Sequence, residues 1–204
     1  GYEVGARVGE TINPEAYKTW HTTAVVGGLA TTAVVGKLIH LTKMQYLNAF
    51  GSAGTQAAGL WEFLNDGTMS KPLHTANATL CGIRSAELAQ LGLTGASHIL
   101  EGDQGLLRAL SPSCHTEDAI RGLNEVPLKI LEIAFKPYAC CRHTHSAAYA
   151  AKILCQEHQF HYEDIESICD STYSTAFQVT NNPCPKTDYA FKFSVQYCIA
   201  AMII

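Results

Sequence analysis

The chain has 204 residues, 47% of them hydrophobic and 16% charged, with a formal net charge of −4. This supports one large domain or two small ones with a real core, and the lack of a basic run excludes nucleic-acid binding through a cationic stripe. The longest apolar stretches, 24–36 and 197–204, are too short to span a bilayer, and eight cysteines in a chain this size and this apolar read as reduced thiols of a cytoplasmic protein, not as a disulfide framework.

Residues 1–9 read as the tail of a helix, and the apolar run 197–204 stops without a cap, so the chain reads as a fragment of a longer protein. Thr22 or Thr23 can cap a helix to about His40, where glycines and alanines permit close packing. A second helix is expected from Lys43 to about Gly59. Leu60-Trp61-Glu62-Phe63-Leu64-Asn65-Asp66-Gly67 then reads as a short helical turn. A third helix opens at Ser70-Lys71-Pro72 and stops at Gly92. Residues 97–110 read as helical or irregular, and Ser111-Pro112-Ser113 as a linker.

From about Arg121 the texture changes. Alternation over 128–135 predicts a strand, 146–156 a helix, 165–173 a second strand, and a final helix starts near Thr187. The expected fold is mainly α: residues 1–120 part of an all-helical domain, 121–198 a smaller α+β lid, and 199–204 the start of a return to the helical domain.

Between the first expected strand and the helix after it lies Lys136-Pro137-Tyr138-Ala139-Cys140-Cys141-Arg142-His143-Thr144-His145. Helix-start amides with neighbouring cations suit a carboxylate or phosphate. Lys136 and Arg142 could form an anion-binding floor, with His143 or His145 beside them. Cys141 could be a proton donor or nucleophile, or, with Cys140, a small buried apolar residue. His21, before a helix start, could be a general acid or base, or a capping and packing residue. Lys71, with His74 one turn on, could hold an anion at a helix start, or be a solvated lysine. Cys155, His158 and His161 fall at intervals of three, without the paired spacing of structural zinc sites, so no metal is expected.

Several blocks occur in a fixed order: Trp20-His21-Thr22-Thr23, Gly51-Ser52-Ala53-Gly54, Ser70-Lys71-Pro72-Leu73-His74, Lys136-Pro137-Tyr138-Ala139-Cys140-Cys141-Arg142, Asn182-Pro183 and Phe193-Ser194-Val195-Gln196-Tyr197. Together they resemble the MmgE/PrpD family over essentially the whole chain. The resemblance implies a helical domain with an α+β lid, usually as a homodimer, with the active site between the two. It also implies cofactor-free proton transfer on small di- or tricarboxylates, as in 2-methylcitrate dehydratase, cis-aconitate decarboxylase and iminodisuccinate epimerase. Carried over to this chain, it implies catalytic roles for His21, Lys71, Lys136, Cys141, His143 and His145. Substrate binding would fall to Lys71, His74, Lys136 and Arg142. In the decarboxylases a histidine stands where this chain has Cys141, a departure that argues against decarboxylation. Their active-site tyrosine falls at Val179. The resemblance also implies family segments before Gly1 and after Ile204. The expected function is a dehydratase-like lyase or isomerase, and the alternative is an inactive relative serving as a carboxylate-binding or dimeric scaffold.

Overall fold

The computed structural model describes residues 1–12, 14–111 and 113–204, the side chains of Pro14 and Glu15 aside. The linker expected at 111–113 therefore lies outside the described residues at Pro112. Among the described residues ten α-helices follow in order: α1 (Tyr2–Thr11), α2 (Thr22–Leu38), α3 (Lys43–Gly54), α4 (Phe63–Asp66), α5 (Ser70–Gln90), α6 (Leu106–Leu110), α7 (His145–His158), α8 (Ser174–Thr180), α9 (Asp188–Phe191) and α10 (Val195–Ile203). The chain is mainly helical, as its composition and periodicity suggest. None of these helices is long and apolar enough to cross a membrane. Two units share the chain: Gly1–Trp61 with Ser70–Ile133, and Glu62–Met69 with Ala134–Ile204.

In the first unit small residues let α2 and α5 meet. Gly28 and Thr32 of α2 and Ala78, Gly82 and Ser85 of α5 are all buried. The Thr32 hydroxyl donates to the Gly28 carbonyl at 2.9 Å. A Cβ added at Gly82 would sit 2.6 Å from that same carbonyl oxygen, so glycine is what the crossing requires. Val8, Ile12, Val25, Leu29, Ala53, Leu107 and Leu110 form the main core.

Helix α3 opens with a capping box in which Thr42 and Gln45 satisfy each other's backbone N–H. It stops at Gly54, short of the expected Gly59, where the Gln56 side-chain amide donates to the Ser52 carbonyl at 2.8 Å. Helix α5 ends in a Schellman motif: Leu93 N–H donates to Leu88 O at 2.9 Å, Gly92 N–H to Ala89 O at 3.1 Å, and Gly92 has φ +100°.

The strand expected over 128–135 is not formed. Lys129–Glu132 is a 3₁₀ turn. The physical reason lies in α1. Glu3 accepts the Lys129 backbone N–H at 2.7 Å, and Glu10 and Glu132 hold the Lys129 ammonium at 3.2 and 2.9 Å. Arg7, buried and ion-paired to Glu3 at 2.7 Å, donates to the carbonyls of Arg121 and Gly122. The Lys129 N–H is thus taken by a helix side chain, while the Leu131 and Ile133 N–H groups bond within the turn, to Leu128 O and Ile130 O. Alternation marks a segment able to be a strand, but a ladder also needs a partner.

In the second unit the strand expected over 165–173 is not formed either: a 3₁₀ turn, Tyr162–Asp164, leads into a segment without regular structure. Its alternate residues Ile168, Asp170 and Thr172 line a cavity of about 250 Å³ with Phe177, Asn181, Val195, Gln196 and Ile199. The final helix expected from Thr187 is broken into α9 and α10, each with its own side-chain cap, Thr187 and Ser194. Helix α4 belongs to this unit through Phe63, which packs edge-on against Tyr189 and Phe193.

Candidate active site

In the first unit the backbone around Gly59 builds the site. His21 N–H donates to Gly59 O at 3.0 Å, and Trp61 N–H to Thr19 O at 3.1 Å. A single antiparallel bridge joins Trp20 to Leu60. The Trp61 indole donates to Trp20 O at 2.8 Å. These bonds hold His21 at the position just before α2, and no side-chain capping bond is formed there.

His74 comes from the second turn of α5. Its Nδ1 lies 3.2 Å from His21 Nδ1. The His21 ring also stands 4.9 Å from the Trp61 ring, and the Lys71 ammonium sits 5.1 Å from that ring's centroid. His21 is buried, with 4% of its surface exposed, while His74 and Lys71 are half-buried. Burial, and then the Lys71 charge, hold the His74 pKa below its ordinary value and so favour the neutral ring.

When both rings are neutral, imidazoles joined Nδ1 to Nδ1 are chemically asymmetric. The ring that donates carries a lone pair on its Nε2, and the ring that accepts carries an Nε2–H. The arrangement presents a base and an acid together, beside a cation.

In the second unit residues 136–145 lead through a 3₁₀ turn, Arg142–Thr144, into α7. Lys136 and Arg142 are exposed, and each donates to a main-chain carbonyl at 3.2 Å, Cys140 and Phe135 respectively. Neither is ion-paired among the described residues, so both charges remain available to an anion. Cys141 is buried at 5% exposure, and its N–H donates to Lys192 O at 2.7 Å. Cys140 lies 3.1 Å from the Thr144 hydroxyl. Burial pushes the neighbouring Cys198 thiol up to about 11.

His145 is 6% exposed, with the Tyr138 ring edge-on at 5.3 Å. Its buried ring nitrogens make no hydrogen bond of good geometry. Desolvation lowers its pKa, an effect only partly offset by the nearby Cys140 and Tyr138 carbonyls. His143 is half-buried, and its Nδ1 is hydrogen-bonded to the Tyr173 hydroxyl.

The structure thus gathers His21, Lys71 and His74 in one unit, and Lys136, Cys141, Arg142, His143 and His145 along one turn of the other. Sequence reasoning missed Gly59, Trp61 and Tyr173. Nothing in the sequence pairs Tyr173 with a histidine 30 positions away.

Residues 1–118 match the MmgE/PrpD N-terminal domain and residues 138–204 the MmgE/PrpD C-terminal domain. Cis-aconitate decarboxylase of Homo sapiens is 27% identical over 197 residues, which cover 92% of this chain and 39% of that protein. Cis-aconitate decarboxylase of Aspergillus terreus is 30% identical over 163 residues, 76% of this chain and 33% of that protein. A second Aspergillus terreus cis-aconitate decarboxylase, from strain NIH 2624, is 27% identical and covers all of this chain and 45% of that protein. The chain spans less than half the length of the curated relatives it matches.

Proposed function

This chain belongs to the MmgE/PrpD family, and from that premise we propose that it forms part of a lyase or isomerase for small di- or tricarboxylates, working by proton transfer at a carbon next to a carboxylate. The observation that carries this reading is the His21–His74 pair at 3.2 Å beside Lys71. It supplies a proton acceptor, a proton donor and a carboxylate anchor on one wall. In the second unit Lys136 and Arg142, free of acidic partners among the described residues, are carboxylate anchors of that unit's own turn. His143, His145 and Cys141 are the candidates for a second acid–base group.

Within this reading, dehydration or epimerisation is favoured over decarboxylation. Cys141 stands where the decarboxylases carry a histidine, and a buried thiol bound through its backbone is a poor substitute for an imidazole. On the same reading residues 121–198 act as the lid, and the whole protein is a cytoplasmic homodimer that needs no cofactor.

The test is turnover by the intact protein on 2-methylcitrate, cis-aconitate and iminodisuccinate. His21→Ala and Lys71→Ala should each lower kcat/KM, the former by the ~10²–10⁴-fold a general acid or base contributes. Full activity in both variants would refute the assignment. Carboxylate binding without turnover by the wild type would instead favour the scaffold alternative.

A further inference from the structure

We propose that Tyr173 is the positioning residue of His143: its phenol oxygen accepts the imidazole Nδ1–H and so leaves Nε2 as the working nitrogen. The proposal rests on the reading above, in which histidines of this chain move protons beside a carboxylate. A general base works through one nitrogen, and a third group bound to the other nitrogen sets which one.

Within its turn His143 is distinguished by a hydrogen-bonded ring nitrogen, whereas the ring nitrogens of His145 make no hydrogen bond of good geometry. Cys141 and His145 are 5% and 6% exposed. His143 is half-buried, and Tyr173 is 57% exposed. Their rings meet edge to face at 5.6 Å and 68°, with the hydroxyl on Nδ1.

Two features make the pairing a built one. Tyr173 occupies the position just before α8, with φ −80° and ψ 156°, so its backbone is set by the helix that follows. That helix is braced internally by the Thr180 hydroxyl, which donates to Ala176 O at 2.7 Å. His143 sits in the 3₁₀ turn whose preceding residue, Cys141, is tied to Lys192. Both partners therefore issue from fixed backbone.

A neutral phenol adds no negative charge beside a turn that carries Lys136 and Arg142, whereas a carboxylate orienter would repel an acidic substrate. A neutral hydroxyl fixes the ring without that repulsion. The hydroxyl could in principle donate to Nδ1 instead, but that would place the proton on Nε2 and leave no lone pair to take a hydrogen from carbon.

Two measurements on the intact protein test this. The first is the nitrogen-15 spectrum of labelled histidines, with the His143 signal identified by its loss in His143→Gln. Wild-type His143 should be the Nδ1–H tautomer, and Tyr173→Phe should shift it toward Nε2–H. A wild-type Nε2–H tautomer, or the same tautomer in Tyr173→Phe, overturns the proposal whether or not any substrate is turned over. The second is steady-state kinetics. Tyr173→Phe should lower kcat about tenfold to a hundredfold, part of the ~10²–10⁴-fold a general base contributes, with KM changed less than about twofold. Unchanged kcat in Tyr173→Phe, in a protein that His21→Ala inactivates, overturns the positioning role and leaves the lyase reading standing. A tautomer shift in a protein that turns over none of the three substrates supports the pairing and sinks the lyase reading. Removing one hydroxyl from an exposed ring leaves the fold intact, which an unchanged circular-dichroism melting curve will verify.

Discussion

Gly59 is the residue on which the first unit's histidine pair turns. Its φ of +135° is one that side chains rarely adopt, and a Cβ there would meet Ala24 Cβ at 2.6 Å and His74 Nδ1 at 3.3 Å. Its carbonyl also receives the His21 N–H. Gly59→Ala should therefore cost about 1–3 kcal/mol in backbone strain alone, and push His74 off its partner. Urea unfolding measures the first effect and turnover the second; an unchanged midpoint with full activity would contradict both. At this scale the sequence was partly legible. His21, Lys71 and His74 were identifiable by type and by their place at helix starts. The contact between His21 and His74 was not, because it spans 53 positions and depends on how α2 and α5 approach.

Helices α2 and α5 approach closely because Gly82 carries no side chain. Two effects of Gly82→Ala oppose each other. Alanine is a better helix former by ~1 kcal/mol, whereas overpacking costs ~1–3 kcal/mol. The added Cβ would meet Thr31 Cβ at 2.5 Å and the Gly28 carbonyl oxygen at 2.6 Å. A backbone carbonyl cannot rotate aside, so overpacking prevails and Gly82→Ala should lower stability. Gly9→Ala, in α1, is the control: no atom lies within 4 Å of its added Cβ, and it should raise stability by about 0.4–1 kcal/mol. Urea midpoints of the two variants should move in opposite directions, and a shared direction would refute the packing argument. Element existence was well read here for α2, α3, α5 and α7, whose apolar spacing and caps are local. The strand over 128–135 was misread because Glu3 and Glu10, more than a hundred residues upstream, claim the backbone N–H and the ammonium of Lys129.

For the whole molecule, the histidines set a pH dependence whose direction can be derived. His74 and His145 have folded-state pKa values below the ordinary one, chiefly through burial. As pH falls through about 6.5 their unfolded imidazoles bind protons while the folded ones do not. Stability contributed by these rings is present above that pH and is lost as pH falls through the lower folded-state values. Glu3, held low by Arg7, adds a similar loss, but only in the more acidic carboxylate range. Unfolding free energies at pH 7.5, 6.5 and 5.5 should fall in that order, and His145→Gln should flatten the fall; a rise toward pH 5.5 would reverse the assignment. By itself the sequence determined the mainly helical character, the stop of α5 at Gly92, the family and the residue types that carry the chemistry, because these depend on local periodicity and on short ordered blocks. Only the tertiary structure decided which histidines are buried, that His21 faces His74 and His143 faces Tyr173, and that two strand-like segments stay unpaired. Those outcomes depend on which distant groups reach a given donor or acceptor first, and spacing along the chain carries no record of that.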